Sequence, residues 1–415
     1  MVGVSAGPDI DADRLLRRLD ELARIGAIDG TAGCSRLALT PEDGEGRDLV
    51  VTWMRDLGMD VAIDGVGNVV ALLQGREPGA PVMMGSHIDT VRTGGRYDGN
   101  LGVLAGVEIV ETLLDAGVTP RHSLAVAFFT DEEGSRFAPD MLGSLVYVGA
   151  MNLEEALDTV GIDGAVFGDE LDAIGYRGGA PCPGPPPRAF VELHIEQGPI
   201  LEHEGVQIGA VTGVQGISWT EFTVTGQSNH AGTTPIAMRR DAALVAAQVS
   251  AEVRAVASRM GGSQVGTVGK IDLHPDLVNV VAERATFTVD LRNTDDELLR
   301  HAEDEMATFA RSAAAAEGCE IVPRSLARFE PVEFDEDIVA AVESAAADRG
   351  SSVMRLPSGA GHDAQMLARV CPTGMVFVPS AGGLSHNPAE HTDAEDIEAG
   401  ANVLLDVIVD LAEPL

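Results

Sequence analysis

Apolar positions along the first third of the chain alternate between two spacings. In "DRLLRRLDELARIGAID", Leu15, Leu19, Leu22 and Ile25 recur three or four residues apart and predict an amphipathic helix. "MDVAIDGVGNVVALL" reads as two strands around a D-G turn. "APVMMGSHIDT" is a short apolar strand that ends in polar residues, and "NLGVLAGVEIVETLLDAG" is a helix stopped at Gly117. "HSLAVAFFTDEEG" is a second strand of the same kind, again polar at its carboxyl end. Strand, helix, strand with polar residues at the carboxyl ends predicts an open α/β sheet, which binds ligands beyond those ends.

The pattern changes in the middle of the chain. A loop rich in proline and glycine, 176–190, precedes the strand "FVELHIEQGPILE", in which His194 is expected on an alternating face. After residue 212, "SWTEFTVTG" alternates like a half-buried strand, and "MRRDAALVAAQVSAEVRAVASRM" reads as a long helix. The strands "SQVGTVGKIDL" and "LVNVVAERATFTVDLRN", the helix "DDELLRHAEDEMATFARSAAAAEG" and the strand "CEIVPRSL" complete a β-α-β-β-α-β unit, a ferredoxin-like order. From residue 329 the chain returns to the first domain with a helix, a strand, a loop and a final helix. The expected organisation is one domain of residues 1–212 and 329–415 with residues 213–328 inserted. A length of 415 residues agrees with more than one core.

Composition narrows the function. With 65 acidic and 28 basic residues the formal net charge is −37, which argues against nucleic-acid or anionic-membrane binding and favours a role in solubility. Lys270 is the single lysine. Cys34, Cys182, Cys319 and Cys371 form no C-x-x-C pair, so a reduced, cytoplasmic setting without disulfides is expected. The opening "MVGVSAGPDIDADRLL" shows no leader pattern, and no apolar run is long enough to span a bilayer.

Among the ten histidines, His122, His203 and His301 lie among charged residues and read as ordinary surface. His87, in "GSHIDT", follows a buried strand, with Asp89 two residues on to hold the imidazole from behind. Asp98, in "GGRYDGNLG", stands at a helix entry, as a capping aspartate or as a carboxylate bridging two cations. The triplet Asp131, Glu132, Glu133 ends the next strand, His194 lies in "ELHIEQG", and His386 in the glycine-rich "GGLSHNPAEHT". Each alone has an ordinary structural explanation. Together they supply imidazoles and carboxylates without thiolate, a set suited to catalytic Zn²⁺, Mn²⁺, Co²⁺ or Ni²⁺. Five ligands exceed one open tetrahedral site and suit two ions about 3.5–4 Å apart.

These segments carry a family resemblance. "GSHIDTV…GGRYDG", "DEEGSRF", "ELHIEQGPILE", "GQSNHAGTTPIAMRRDA" and "SGAGHDAQ…GGLSHNPAEHT", in that order from about residue 15 to the C-terminus, resemble the amidase, hydantoinase/carbamoylase family of the dinuclear metallopeptidase superfamily. That family includes N-carbamoyl-L-amino-acid hydrolases, β-ureidopropionases and allantoate amidohydrolases. The resemblance implies an α/β catalytic domain with an inserted ferredoxin-like lid that forms a homodimer interface. It implies two divalent metal ions, one held by His87, Asp98 and His194, the other by Asp98, Glu133 and His386. Glu132 is implied as general base, Asp89 as the residue set against His87, and His230 as the oxyanion-stabilising lid histidine, reaching across from a partner subunit. Gln197, Asn279, Arg292 and Gly361 are implied as substrate contacts, and His362 and Asp363 as supporting neighbours. Asp131 is left without an assigned role.

The expected activity is metal-dependent hydrolysis of a non-peptide C–N bond in a small ureido acid, foremost an N-carbamoyl-L-amino acid. Allantoate and β-ureidopropionate are the alternatives within the family. A peptidase or N-acyl deacylase, or a metal-free binding protein on the same fold, stands further off.

Overall fold

The computed structural model describes residues 8–413. The first residues, 1–7, on which the expectation of no leader rests, lie outside the described residues. The chain forms two compact units, Met1–Gly213 with Glu333–Leu415, and Val214–Val332.

The first unit opens with helices α1 (Ala12–Ala23) and α2 (Pro41–Asp56). The strands β1 (Asp60–Ile63), β2 (Val69–Leu73) and β3 (Val82–His87) follow, then α3 (Asn100–Asp115), β4 (Leu124–Phe129) and the short α4 (Leu142–Tyr147). β5 (Ala189–Ile195) and β6 (Ile208–Val214) lead into the second unit. That unit contains β7 (Gly216–Thr225), β8 (Asn229–His230), α5 (Ala242–Met260), β9 (Val265–Thr267), β10 (Ile271–His274), β11 (Val280–Val281), β12 (Arg284–Asn293), α6 (Asp296–Ala316) and β13 (Glu320–Phe329). The chain returns through β14 (Val332–Glu333), α7 (Glu336–Asp348), β15 (Val353–Ser358), α8 (Asp363–Leu367), β16 (Thr373–Val378) and α9 (Ala394–Ala412).

The first unit is built on one nine-stranded sheet of order β1-β2-β4-β3-β5-β16-β6-β14, with β15 beside β6. Its centre, β4-β3-β5-β16, is parallel. Helices α1, α3 and α9 pack on one another, and α3 and α9 cover β3 and β5. Central strands covered in this way are buried along their whole length. This corrects the alternating face expected for His194: every residue of β5 is buried. β3 pairs with β4 through to His87 and Phe129, but with β5 only as far as Met84 and Val191. The two strands therefore part before His87 and His194, and a crevice opens where the strand order reverses.

The second unit has the antiparallel order β10-β12-β7-β13, with β9 beside β12. That is the ferredoxin-like arrangement, with α5 and α6 packed together and both in contact with β7 and β12. Its core includes Phe222, Val249, Val253, Phe287, Leu299 and Met306. Five details differ from the sequence reading. "SQVGTVGKIDL" is two strands, β9 and β10, and β11 is separate from β12. β13 continues past 328 to Phe329. The C-terminal return holds two main strands, β15 and β16, joined by the one-turn helix α8, where one was expected. The first two turns of helix α2 had no apolar period to betray them: their buried face is Asp43, Gly44, Gly46 and Arg47, and Val50, Val51 and Met54 are buried only further on. The four cysteines are free thiols, and among the described residues no helix is long and apolar enough to cross a membrane.

Arg47 explains why that polar face is buried. Its guanidinium, fully enclosed, donates to Asp43 Oδ2 at 2.8 Å, to the Gly67 carbonyl at 2.7 Å and to Thr130 Oγ1 at 3.2 Å. It lies between the Phe128 and Tyr176 rings, at 5.5 and 5.4 Å. The contact ties α2 to the residue that precedes the acidic triplet. Arg47→Met leaves Asp43 buried without its cation, and a loss of about 3–5 kcal/mol in urea-unfolding free energy is expected; a change below about 1 kcal/mol would mean the pair is dispensable.

Candidate functional site

Four carboxyl ends of the parallel strands bring the chemistry together. His87 closes β3, Glu132 and Glu133 follow β4, His194 lies in β5, and His386 follows β16. Asp98 comes from the loop after β3 and stands among them.

The two buried imidazoles are oriented alike. His87 Nδ1 donates to the Asp89 carbonyl at 2.9 Å, and His194 Nδ1 donates to the Ile195 carbonyl at 2.9 Å. Each bond leaves Nε2 as the nitrogen that faces Asp98, at 3.5 and 3.2 Å from Oδ1. An imidazole fixed by a carbonyl at one nitrogen presents a lone pair at the other. Gly99 makes this approach possible: its φ is +67°, and a Cβ there would lie 2.4 Å from the His87 ring. Its N–H donates to His194 Nε2 at 3.1 Å. Gly99, not Asp98, is the helix cap residue of α3, so the capping explanation for Asp98 does not apply.

The other Asp98 oxygen, Oδ2, accepts from Gln197 Nε2 at 2.9 Å and from Ser385 Oγ at 2.8 Å, and lies 3.7 Å from His386 Nε2. His386 Nε2 is also 3.1 Å from Glu133 Oε2. The ligand atoms of His87, Asp98 and His194 lie within 4.8 Å of one another, and so do those of Asp98, Glu133 and His386. Asp98 is common to both groups. Imidazole nitrogens with tautomers set by carbonyls, a shared carboxylate and no thiolate form a donor set that fits a pair of divalent cations.

Glu132 Oε2 is 3.3 Å from His87 Nε2, and the side chain is buried. Burial pushes its carboxyl well above the usual range; His87 opposes this, and Asp363, Glu133 and Asp89 add to it. For Asp98 burial acts in the same sense, but His194 and His87 outweigh it and hold the carboxyl well below the usual range. The Asp89 carboxylate does something different from what its spacing suggested. It is 3.9 Å from His87 Nδ1, and its two oxygens accept the backbone N–H groups of Glu132 and Glu133, each at 3.3 Å. The Asp89 backbone orients His87, and the Asp89 side chain fixes the backbone that carries Glu132 and Glu133.

Asp131 is wholly buried with φ +58°, and its carbonyl accepts the Leu142 N–H at 3.2 Å. Burial, then Asp89, drives its carboxyl well above the usual range. A Cβ at Gly361 would lie 2.9 Å from the Met141 side chain, and the Met141 backbone N–H donates to the Glu132 carbonyl at 2.7 Å. His362 packs edge-on against His194 at 4.5 Å between ring centres. A third cluster, Glu192 with His194 and His362, is already satisfied: Glu192 accepts from Ser86 Oγ at 2.5 Å and from the Ala364 N–H at 2.9 Å.

His230, Asn279 and Arg292 belong to the second unit. β8 and β11 pair His230 with Val280, and the Ala231 N–H donates to the Asn279 carbonyl at 2.9 Å. His230 Nδ1 accepts the N–H groups of Gly232 and Thr233 at 3.1 and 3.2 Å, which places its proton on Nε2. Arg292 grips the Asp290 carboxylate, Nη2 to Oδ2 at 2.9 Å and Nε to Oδ1 at 3.1 Å, with Trp219 at 6.0 Å. Sequence reasoning passed over Ser385, Glu192 and Glu390. Ser385 and Glu390 flank His386 in the same motif, the one available signal; for Glu192 only its place two residues before His194 hinted at a role.

Such a protein falls in a definite class: two α/β units, the larger with two metal-type donor groups sharing one carboxylate at the sheet's switch point. The profile of peptidase family M20/M25/M40 matches residues 83–410. An N-carbamoyl-L-amino-acid amidohydrolase of Rhizobium meliloti is 43% identical over 410 residues, 97% of each chain. An allantoate amidohydrolase of Escherichia coli is 36% identical over 394 residues, 94% of this chain and 96% of its own. A solved hydantoinase/carbamoylase-family amidase from Burkholderia multivorans superposes with a TM-score of 0.93 at 45% identity, covering 98% of this chain and 99% of that one. The chain belongs to peptidase family M20/M25/M40, in its hydantoinase/carbamoylase amidase branch.

The outermost ligand-type residue offers a direct check. Glu133, opposed by burial and helped by Asp98, raises the His386 imidazole from 6.5 to about 9 in the metal-free protein. With the folded value above the unfolded one, this pairing stabilises the metal-free fold fully below about 6.5 and is lost as pH rises through about 9. The His386 ring-proton resonance should therefore titrate at about 9 in the metal-free protein. Addition of a divalent cation at neutral pH should release that proton. A midpoint near the ordinary 6.5 would show that Glu133 does not hold the ring.

Proposed function

We propose that this chain is a two-metal amidohydrolase that cleaves the non-peptide C–N bond of small ureido acids, foremost N-carbamoyl-L-amino acids, to amino acid, ammonia and carbon dioxide. The observation that carries the reading is the Asp98 carboxylate shared by two donor groups, with Glu132 3.3 Å from one of their imidazoles. The substrate class is supported by the amidohydrolase relatives, which match the chain nearly end to end.

His87, Asp98 and His194 would hold one cation, and Asp98, Glu133 and His386 the other. Zn²⁺, Mn²⁺, Co²⁺ and Ni²⁺ suit these donors. Bound cations supply a water of lowered pKa and a Lewis acid for the carbamoyl oxygen. The protein's own groups do the rest. Glu132, beside His87, takes the proton from the attacking water and delivers it to the leaving nitrogen; positive charge nearby returns its raised carboxyl to the carboxylate form that a base requires. Asp89 keeps the 132–133 backbone from shifting. His230, protonated on Nε2, has the form that donates to an oxyanion. Arg292 shows on Asp290 the forked grip that a substrate carboxylate would take over, with Asn279 and Gln197 as further polar contacts and Gly361 offering backbone.

Allantoate remains the second reading, favoured by the 36% identity to an amidohydrolase of that substrate. A homodimer through the second unit is supported by Ile236, Met238, Leu277 and Val278, large apolar side chains left exposed beside His230 and Asn279 in the sequence. Sedimentation of the protein at the 43.3 kDa mass of one chain would remove that part. The free cysteines agree with a reducing, cytoplasmic setting.

The deciding experiment measures ammonia released from N-carbamoyl amino acids, β-ureidopropionate and allantoate after loading with each metal. No release from any ureido acid would sink the proposal. Glu132→Gln should retain stoichiometric metal and lose about 10²–10⁴ in kcat; wild-type turnover would remove Glu132 as the base. Arg292→Ala should raise KM for carboxylate-bearing substrates by about tenfold or more, as expected when a charge-assisted hydrogen bond is lost. Unchanged KM and kcat would take Arg292 out of the site.

A further inference from the structure

Glu390 is buried at 3% exposure in a loop where a carboxylate has no obvious reason to be. One of its oxygens, Oε1, accepts two successive backbone N–H groups, those of Tyr97 at 3.0 Å and Asp98 at 3.2 Å. Gly95 leaves the room: a Cβ there would lie 2.0 Å from Oε1, so no other residue fits without moving the carboxylate.

Glu390 lies four residues beyond His386, and its own N–H closes a turn onto the Asn387 carbonyl at 2.9 Å. The segment 385–391 meets the segment 93–98 at several points. Ser385 Oγ donates to Asp98 Oδ2 at 2.8 Å, Thr93 Oγ1 donates to the His386 carbonyl at 3.3 Å, and the Tyr97 and His391 rings meet edge to face at 6.2 Å. Among these contacts Glu390 alone holds the Asp98 main chain. The Asp98 side chain departs from that main chain, whose carbonyl is held within its own segment by Asn100, N–H at 2.7 Å and Nδ2 at 3.2 Å, and whose next residue, Gly99, donates to His194.

We infer that Glu390 is a positioning residue: its carboxylate locks the peptide that carries Asp98 to the loop that carries His386, and so sets the bridging carboxylate between the two donor groups. The inference rests on the two-metal reading and adds to it a residue that touches neither the substrate nor the cations. Two N–H bonds converging on one oxygen are directional. Partners of metal ligands, when removed, commonly cost about 10–100-fold in metal affinity.

The test is calorimetric titration of metal-stripped full-length protein with Mn²⁺, alongside thermal unfolding of the metal-free forms. Glu390→Ala should bind Mn²⁺ about 10–100-fold more weakly with an unchanged metal-free unfolding midpoint. Glu390→Gln keeps the acceptor and the shape, and should fall between Ala and wild type. Wild-type affinity in Glu390→Ala overturns the inference. So does a parallel loss of affinity and metal-free midpoint that Gln does not relieve, since that describes scaffolding only. Should Glu390→Ala fail to fold, Glu390→Gln decides alone: weaker binding upholds the inference and wild-type affinity overturns it. Failure of wild-type protein to take up Mn²⁺, Zn²⁺, Co²⁺ or Ni²⁺ would instead defeat the two-metal reading itself, a different result.

Discussion

A carboxylate withdrawn from water is costly unless charge or hydrogen bonds surround it, and the Asp98 carboxylate is withdrawn almost completely. Its surroundings resolve that cost on two sides. Oδ1 faces the Nε2 atoms of His87 and His194, and Oδ2 takes the Gln197 amide and the Ser385 hydroxyl. These partners come from three separate segments of the chain. The parting of β3 from β5 beyond Met84 and Val191 makes space for this one group, and the loops after β3, β5 and β16 all converge on it.

Around that centre the acidic residues fall into two kinds. Several pointing away accept from neutral donors: Glu192 from Ser86 and the Ala364 N–H, Asp89 from the N–H groups of Glu132 and Glu133, and Glu390, through one oxygen, from those of Tyr97 and Asp98. Asp43 is the exception, paired with the enclosed Arg47. Those pointing inward, Asp98, Glu132 and Glu133, face imidazoles and one another. Backbone N–H groups carry no net charge, so the carboxylates of the centre act on one another and on the imidazoles. That field raises the His386 imidazole and, with burial, the Glu132 carboxyl. Divalent cations would relieve both effects at once.

The second unit contributes chemistry of another kind. His230 is held in its Nε2-protonated form by two backbone N–H groups, and Arg292 already carries a carboxylate in its fork. Both are donors.

The helices and strands with a clean apolar period were legible from sequence, because burial of one face or of a whole strand dictates the side chains: α1, α3, β3 and β4 are of this kind. The ligand-type residues were legible because their chemistry is scarce and sits where apolar runs end, as with His87 and the triplet after Phe129. The start of helix α2 was not, since its buried face there is made of Arg47, Asp43 and glycines, which pack because distant Gly67 and Thr130 accept from the arginine. Spacing alone suggested that the Asp89 side chain backs His87, and the fold assigned that task to its carbonyl. Residue identity and order determined which groups this protein has to work with and the architecture that carries them. Which atom of each group faces Asp98, and that Glu390 reaches back across 292 residues to hold it, were decided only by the tertiary structure, because hydrogen-bond direction depends on where separate loops meet.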